Sequence, residues 1–183
     1  MRLMTTLFST LLVVASPASA RDYRQVSGTA ADGTRYYEDS LVIEAPSETL
    51  WTAFTDTGAY RRWAAPVSSI DFRIGGSIEA SYDPKGRLGD PQNIRNEIVA
   101  YVPGRLLAFR NVQAPDGLPG RDVYAKTIKT VEFAAIDRRH TRVTVSGIGF
   151  GRAASYDRLY SFFSEGDGAM LELLKRALEQ RRP

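Results

Sequence analysis

Alternation of apolar and polar residues dominates the middle of the chain and predicts an antiparallel sheet. A period of two residues is typical of strands that bury one face. Gly75-Gly76 and Pro103-Gly104 separate consecutive strands, where glycine permits the positive φ angles of tight turns. We predict seven strands, the last six forming a meander. The predicted strands cover residues 35–44, 67–74, 77–83, 92–102, 105–112, 127–136 and 141–150.

A period of three to four residues predicts helices on either side of this meander. Residues 45–54 carry one apolar stripe, and residues 57–63 form a second short helix that Pro66 ends. Residues 156–180 repeat apolar side chains in steps of three and four, which predicts one long helix. This order indicates an α+β fold, a curved seven-stranded antiparallel sheet with two short helices and a long C-terminal helix across it. We expect a ligand cavity between that helix and the sheet.

The first 20 residues have the pattern of a secretory signal peptide. Arg2 precedes an apolar run over residues 7–15, and Ala18-Ser19-Ala20 has the small-residue spacing of a cleavage site. The run is shorter than the about 20 residues that cross a bilayer. We therefore expect cleavage after Ala20, a periplasmic or secreted protein, and no stable membrane anchor.

The remaining chain predicts one domain with a short extension. Residues 21–34 are small and polar, which is typical of a flexible N-terminal arm. Residues 35–183 contain all the periodic segments outside the leader and form a single predicted domain.

Composition removes several kinds of chemistry. The 183 residues include no cysteine, which excludes disulfides, thiolate metal sites and thiol nucleophiles. The single histidine, His140, lies in a predicted turn, where a catalytic base would lack a shielded environment. The net charge of +3 is too small to indicate nucleic-acid binding. Because metal-ligand spacings and nucleotide-binding glycine motifs are also absent, we expect no cofactor, no metal and no nucleic-acid partner.

Five strings, distributed between residues 41 and 178, carry a resemblance to a known superfamily, together with Trp63 after the first string. They are "LVIEAPSETLWTAFTD" (41–56), "IDFRIGGSIEASY" (70–82), "IVAYVPGRLLAF" (98–109), "TRVTVSGIGFG" (141–151) and "FFSEGDGAMLELLKRAL" (162–178). They resemble the helix-grip SRPBCC superfamily of START domains, the birch-pollen allergen and polyketide cyclases, and most of all the branch of the activator of heat-shock chaperone ATPase. The resemblance implies a cavity that holds a largely apolar small molecule. It supplies no shared catalytic motif.

Aromatic side chains in the predicted elements are the candidate walls of this cavity, because rings bury a large area and shape an apolar space. Asn96 shares its strand face with Ile94 and Ile98, so we expect it to point inward, whereas Arg73 and Arg110 point outward. No catalytic residue is assigned. The predicted ligand-binding aromatics are Trp51, Trp63, Phe72, Tyr82, Phe109, Phe133, Phe162 and Phe163.

Three functions fit these observations. The first is an exported protein that binds an apolar ligand non-covalently. The second is a cyclase- or dehydratase-like enzyme in the same cavity, which an inward ionisable residue with a shifted pKa would favour. The third is a protein–protein adaptor resembling the chaperone ATPase activator, which a filled cavity and an exposed apolar patch would favour.

Overall fold

The computed structural model of the protein describes residues 22–180, and the predicted signal peptide at residues 1–20 lies outside this range. The predicted α+β helix-grip architecture is confirmed. The described residues form eight strands and four helices. The elements are β1 (Arg24–Thr29), β2 (Arg35–Ile43), α1 (Ser47–Thr55), α2 (Thr57–Arg61), β3 (Val67–Ile70), β4 (Ser77–Ser81), β5 (Ile94–Val102), β6 (Leu106–Gln113), α3 (Arg121–Tyr124), β7 (Ile128–Ala135), β8 (Thr141–Phe150) and α4 (Ala154–Glu179).

The strands form one antiparallel sheet in the order β1-β2-β8-β7-β6-β5-β4-β3. The predicted meander is therefore present as β3 to β8, with each strand paired to the next. Strand β2 joins the far side of the meander by pairing with β8, with Tyr37 opposite Gly147 and Leu41 opposite Val143. Helix α4 packs across the inner face of β2 and β8. No helix among residues 22–180 is both long and apolar enough to cross a membrane.

The eighth strand, β1, corrects the prediction of an arm at residues 21–34. Arg24–Thr29 pairs with β2 along its whole length. The side-chain amide of Gln25 donates to Asp39 Oδ1 at 2.9 Å and also to the carbonyl oxygen of Ser164 on α4. Most of β1 is exposed, so it lacks the apolar alternation that marks a half-buried strand.

The glycines of α4 have different surroundings. A Cβ atom on Gly168 would lie 2.1 Å from the ring of Tyr23, whereas a Cβ on Gly166 would meet no atom within 4 Å. Gly168 thus gives the Tyr23 ring, in the segment preceding β1, room to lie directly on the helix. This close approach joins the N-terminal segment to α4.

The hairpin between β3 and β4 is wider than the predicted two-residue turn at Gly75-Gly76. Strand β3 ends at Ile70, and residues 71–76 form the connection. Gly75 has a φ of +74°, and a Cβ on Gly76 would lie 2.0 Å from the carbonyl oxygen of Asp71. Both glycines are therefore required, but in a longer loop that leaves Ile74 56% exposed.

The core between α4 and the sheet consists of two apolar clusters. Leu171 and Leu174 are fully buried in the larger cluster, and Leu159 is fully buried in the smaller one beside Tyr37 and Phe150. The stretch of α4 between Leu159 and Leu171 faces the region between the two clusters, where the packing leaves an open space.

Candidate functional site

A cavity of about 80 Å³ lies between α4 and the inner face of the sheet, in the region that the sequence predicts. Pockets for drug-sized ligands measure roughly 300–1,000 Å³, and a cavity of about 150 Å³ accepts benzene. In this conformation the cavity is therefore smaller than a cavity that holds one benzene ring. Its walls are Phe54, Tyr60, Ile78, Tyr82, Ile94, Asn96, Phe109, Tyr124, Lys129, Val131, Val145, Phe163, Asp167 and Met170.

The structure brings four of the predicted site residues to this cavity, namely Tyr82, Asn96, Phe109 and Phe163. Asn96 points inward as its strand parity indicates, and it is only 9% exposed. Tyr82 is 60% exposed, so it lies at the rim, where the cavity meets solvent. Contact of these four residues with a ligand stays a prediction.

Trp51, Phe72 and Phe133 are placed in the core rather than at the cavity. The Trp51 ring lies 5.5 Å from that of Phe72 and 5.7 Å from that of Phe133, both nearly edge to face. These rings fill the space between α1, the β3–β4 connection and β7. The three rings pack against one another because α1 lies over this end of the sheet. The helix occupies the space that a ligand would need there.

Trp63 and Phe162 also lie off the cavity. The Trp63 indole Nε1–H donates to the carbonyl oxygen of Ala53 at 2.8 Å, and the ring faces an outer groove between α1, α2 and the end of α4. Phe162 is 45% exposed and contacts its neighbour Phe163 with ring centroids 5.1 Å apart. Adjacent helical residues point about 100° apart, so only one of these two phenylalanines faces the sheet.

The two arginines that the strand parity placed outward are exposed. Arg110 pairs with Glu97 at 2.8 Å across β5 and β6 on the outer face. Arg73 pairs with Asp71 at 2.9 Å within the β3–β4 connection. Neither side chain reaches the cavity.

Lys129 and Asp167 form a buried ion pair in the cavity wall that sequence reasoning missed. Lys129 is 7% exposed and Asp167 is 6% exposed, and the lysine Nζ contacts Asp167 Oδ2. The Tyr37 hydroxyl donates to the same carboxylate oxygen at 2.6 Å. The lysine Nζ also lies 3.9 Å from the centroid of the Phe163 ring, a cation–π distance.

The periodicity of the sequence contained a signal for both residues. Lys129 shares its strand face with Val131 and Phe133, which are both buried. Asp167 lies four residues after Phe163 and four before Leu171, on the apolar face of α4. A charge on an otherwise apolar face indicates a buried partner of opposite sign, since an isolated buried charge is too costly.

A glycine in β8 makes room for the tyrosine that completes this cluster. A Cβ on Gly147 would lie 2.5 Å from the ring of Tyr37. Gly147 is also opposite Lys129 in the β7–β8 pairing. The bare backbone at this position lets the Tyr37 ring cross β8 and place its hydroxyl on Asp167.

Burial perturbs the ionisable groups around the cavity. Burial lowers the pKa of Lys129, while the negative charges of Asp167 and Asp39 act in the opposite direction. Burial, with the Asp167 carboxylate adding to it, raises the pKa of Tyr37 far above its usual value. Burial also raises the pKa of Tyr60 and Tyr124. At neutral pH these tyrosines are therefore protonated and able to donate hydrogen bonds.

His140 occupies the turn between β7 and β8, as expected. Its Nδ1 lies 2.9 Å from Asp137 Oδ2, and the two side chains are 41% and 54% exposed. Within residues 22–180, His, Asp and Glu side chains do not gather in any group of three or more that could hold a metal ion.

Solved structures with the same fold come from several bacteria. The Aha1 dimer from Colwellia psychrerythraea has a TM-score of 0.61 at 15% identity, covering 78% of this chain and 94% of that one. Protein MLL2253 from Mesorhizobium loti has a TM-score of 0.63 at 19% identity, covering 87% and 100%. CalU16 from Micromonospora echinospora has a TM-score of 0.62 at 18% identity, covering 91% and 79%. At these identities the likeness establishes the fold.

The family follows from the sequence itself. No curated protein matches the chain. Residues 44–179, which include the cavity and the whole of α4, match the family model of Activator of Hsp90 ATPase homolog 1-like proteins. This match confirms the resemblance drawn from the sequence strings. The chain therefore belongs to the AHSA1 family, within the SRPBCC superfamily.

Proposed function

We propose that this protein binds a small, largely apolar molecule non-covalently in the cavity between α4 and the sheet. The observation that carries the proposal is the open space itself. Protein interiors are close-packed and contain few voids larger than a water molecule. This void instead has walls of large apolar side chains, including Phe54, Phe109, Val131 and Met170. This apolar part of the wall favours an apolar guest over water.

The position of Tyr82 at the rim limits the size of the ligand that the cavity can accept. Tyr82 follows the last residue of β4 and begins a connection, residues 82–93, that is rich in glycine and proline. A change in the side-chain rotamer of Tyr82 would open the cavity toward solvent, because this residue lies at the rim and is 60% exposed. We expect a single-ring compound or a short chain to fit once this side chain moves.

Methionine-selective NMR tests the proposal directly. Met170 lies in the cavity wall and is the only methionine after residue 4. In protein labelled with [methyl-¹³C]methionine and starting at Arg21, its methyl signal reports on the cavity with little overlap. We expect the signal to shift saturably with at least one member of a panel of small aromatic, terpenoid and fatty-acid compounds. The occupancy should be about one ligand per chain, with a Kd in the micromolar to millimolar range.

Adjacent phenylalanines provide a matched control. Phe163→Ala should change the Kd by tenfold or more, because its ring lines the cavity, whereas Phe162→Ala should leave the Kd within twofold. Both variants remove the same ring from neighbouring positions of α4. Equal effects of the two variants would place the ligand elsewhere.

We also propose that the protein is exported. The support is the leader pattern at residues 1–20. N-terminal sequencing of the protein from the extracytoplasmic fraction of its own host should begin at Arg21. Recovery of the intact Met1 form in the cytosol would contradict export without bearing on ligand binding.

A second candidate function is catalysis of a cyclase- or dehydratase-like reaction, and the Lys129–Asp167 pair favours it. These are inward ionisable groups beside a cavity, and proton transfer within the pair could serve such chemistry. Native mass spectrometry of protein purified from its own host distinguishes the two functions. One bound mass supports a carrier, and two bound masses that differ by one water support a dehydratase.

An adaptor function is the outcome to accept if no compound shifts the Met170 signal. Tyr36, Ile148 and Ile128 lie side by side on the outer face of the sheet, across β2, β8 and β7. Ile148 and Ile128 are 39% and 36% exposed. The family is also named for proteins similar to a chaperone ATPase activator.

A further inference from the structure

The polar groups that line the cavity offer hydrogen-bond donors. A lysine ammonium has three N–H bonds. Among residues 22–180, the only side chain that accepts a hydrogen bond from the Lys129 ammonium group is Asp167. A second N–H bond can point toward the face of the Phe163 ring. The third is available to a group in the cavity.

The side-chain NH₂ group of Asn96 is a second set of hydrogen-bond donors, separated from Lys129 by Phe109. Its Oδ1 accepts a hydrogen bond from Asn111 Nδ2 at 3.1 Å, so its own NH₂ group is the part left to the cavity. That NH₂ group has no acceptor within residues 22–180. Phe109 separates the two donor sites, since it is opposite Lys129 in β7 and two residues before Asn111, the partner of Asn96.

The charges around the cavity disfavour an anionic ligand. Lys129 and Asp167 compensate one another, and Asp39 adds a further buried acidic side chain near the lysine. A carboxylate ligand would add another negative charge to a region from which water is largely excluded, where desolvation is costly. A neutral carbonyl oxygen accepts a hydrogen bond without adding net charge.

We propose that the cavity is selective for uncharged aromatic compounds whose carbonyl oxygen accepts a hydrogen bond from Lys129. The aromatic part is favoured by the rings of Phe54, Phe109 and Phe163, which surround the same space. This inference rests on the proposed binding function and names its ligand class.

Three compounds with one benzene ring test the class in the unaltered protein. Acetophenone carries the neutral carbonyl, ethylbenzene lacks the oxygen, and benzoate carries a negative charge. Following the Met170 methyl signal, we expect acetophenone to bind about tenfold or more tightly than ethylbenzene, as a hydrogen bond from a charged donor implies. Benzoate should bind more weakly than acetophenone.

Two variants assign the donor. K129M/D167N removes both charges together and keeps the side-chain sizes similar, and it should reduce the preference for acetophenone over ethylbenzene to less than threefold. K126M is the matched control, because Lys126 is exposed and lies three residues away. It should keep the full preference.

Each outcome has a distinct meaning. Equal binding of acetophenone and ethylbenzene overturns the carbonyl selectivity and leaves the proposed ligand-binding function in place. Tightest binding of benzoate overturns the preference for neutral ligands. A preference that survives in K129M/D167N shows that Lys129 is not the donor. No binding of any panel compound refutes the proposed function as well. The three-compound comparison needs no variant, so a failure of K129M/D167N to fold does not prevent the test.

Discussion

Lys129→Met is expected to destabilise the protein strongly, because it leaves the Asp167 carboxylate buried without its cation. Both side chains of the pair are 8% exposed, so solvent cannot replace the lost partner. Removing one member of a buried ion pair costs about 3–5 kcal/mol. The Tyr37 hydroxyl still donates to Asp167, and a hydrogen bond to a charged group offsets part of that cost. We therefore expect a loss near the lower limit, about 3 kcal/mol.

The double variant K129M/D167N should recover most of this loss. The asparagine side chain introduced by D167N would keep an oxygen for the Tyr37 hydroxyl, and neither position would carry a charge. Replacing a buried ion pair by neutral groups of similar size is often close to neutral in free energy. We expect the double variant to lie within about 1 kcal/mol of the parent, so that it recovers about 2 kcal/mol of the stability lost in Lys129→Met.

Urea unfolding followed by the fluorescence of Trp51 and Trp63 measures both effects, because these are the two tryptophans of the chain. With an m-value of about 1–3 kcal/mol per molar urea, Lys129→Met should lower the midpoint by at least about 1 M. The reasoning is refuted if Lys129→Met unfolds at the parental midpoint. It is also refuted if the double variant is as unstable as the single one, since the cost would then arise from lost packing.

Three further predictions concern the helix packing and the pH dependence. Leu174→Asp should cost several kcal/mol because Leu174 is fully buried, whereas Leu173→Asp at a 51% exposed site should cost less than about 0.5 kcal/mol; equal melting temperatures would contradict the orientation of α4. Gly166→Ala should stabilise the helix by about 0.5–1 kcal/mol. Gly168→Ala should destabilise the protein, because the new methyl group would displace the Tyr23 ring that packs on this glycine. Calorimetry should therefore show opposite shifts in Tm for the two variants. Stability should fall as the pH rises above about 10, because three buried tyrosines stay protonated in the folded state and ionise in the unfolded state, each costing about 1.4 kcal/mol at pH 11. Tyr37→Phe should reduce this slope by about one third, and an unchanged slope would contradict the burial of that hydroxyl.

The sequence predicted the elements that have one buried face. Strands β5 to β8 and helix α4 lie within a few residues of their predicted positions, because a period of two or of 3.6 residues records which side chains avoid water. The same period correctly placed Asn96 inward and Arg110 outward. Strand β1 was not predicted because it buries no apolar face and so has no apolar period. Its stability comes from main-chain pairing with β2 and from the contacts of Gln25, and neither produces a hydrophobic pattern.

Only the tertiary structure decided which side chains share the cavity. Periodicity states that Phe133 and Phe109 both face inward, but α1 covers the first while the second borders the open space. Lys129 and Asp167 are 38 positions apart, and they meet only because α4 packs on β8, the strand that pairs with β7. A hydrophobic pattern gives the direction of a side chain relative to its own strand or helix. The group that it meets depends on how the separate elements pack, which is determined by the fit of all their side chains together.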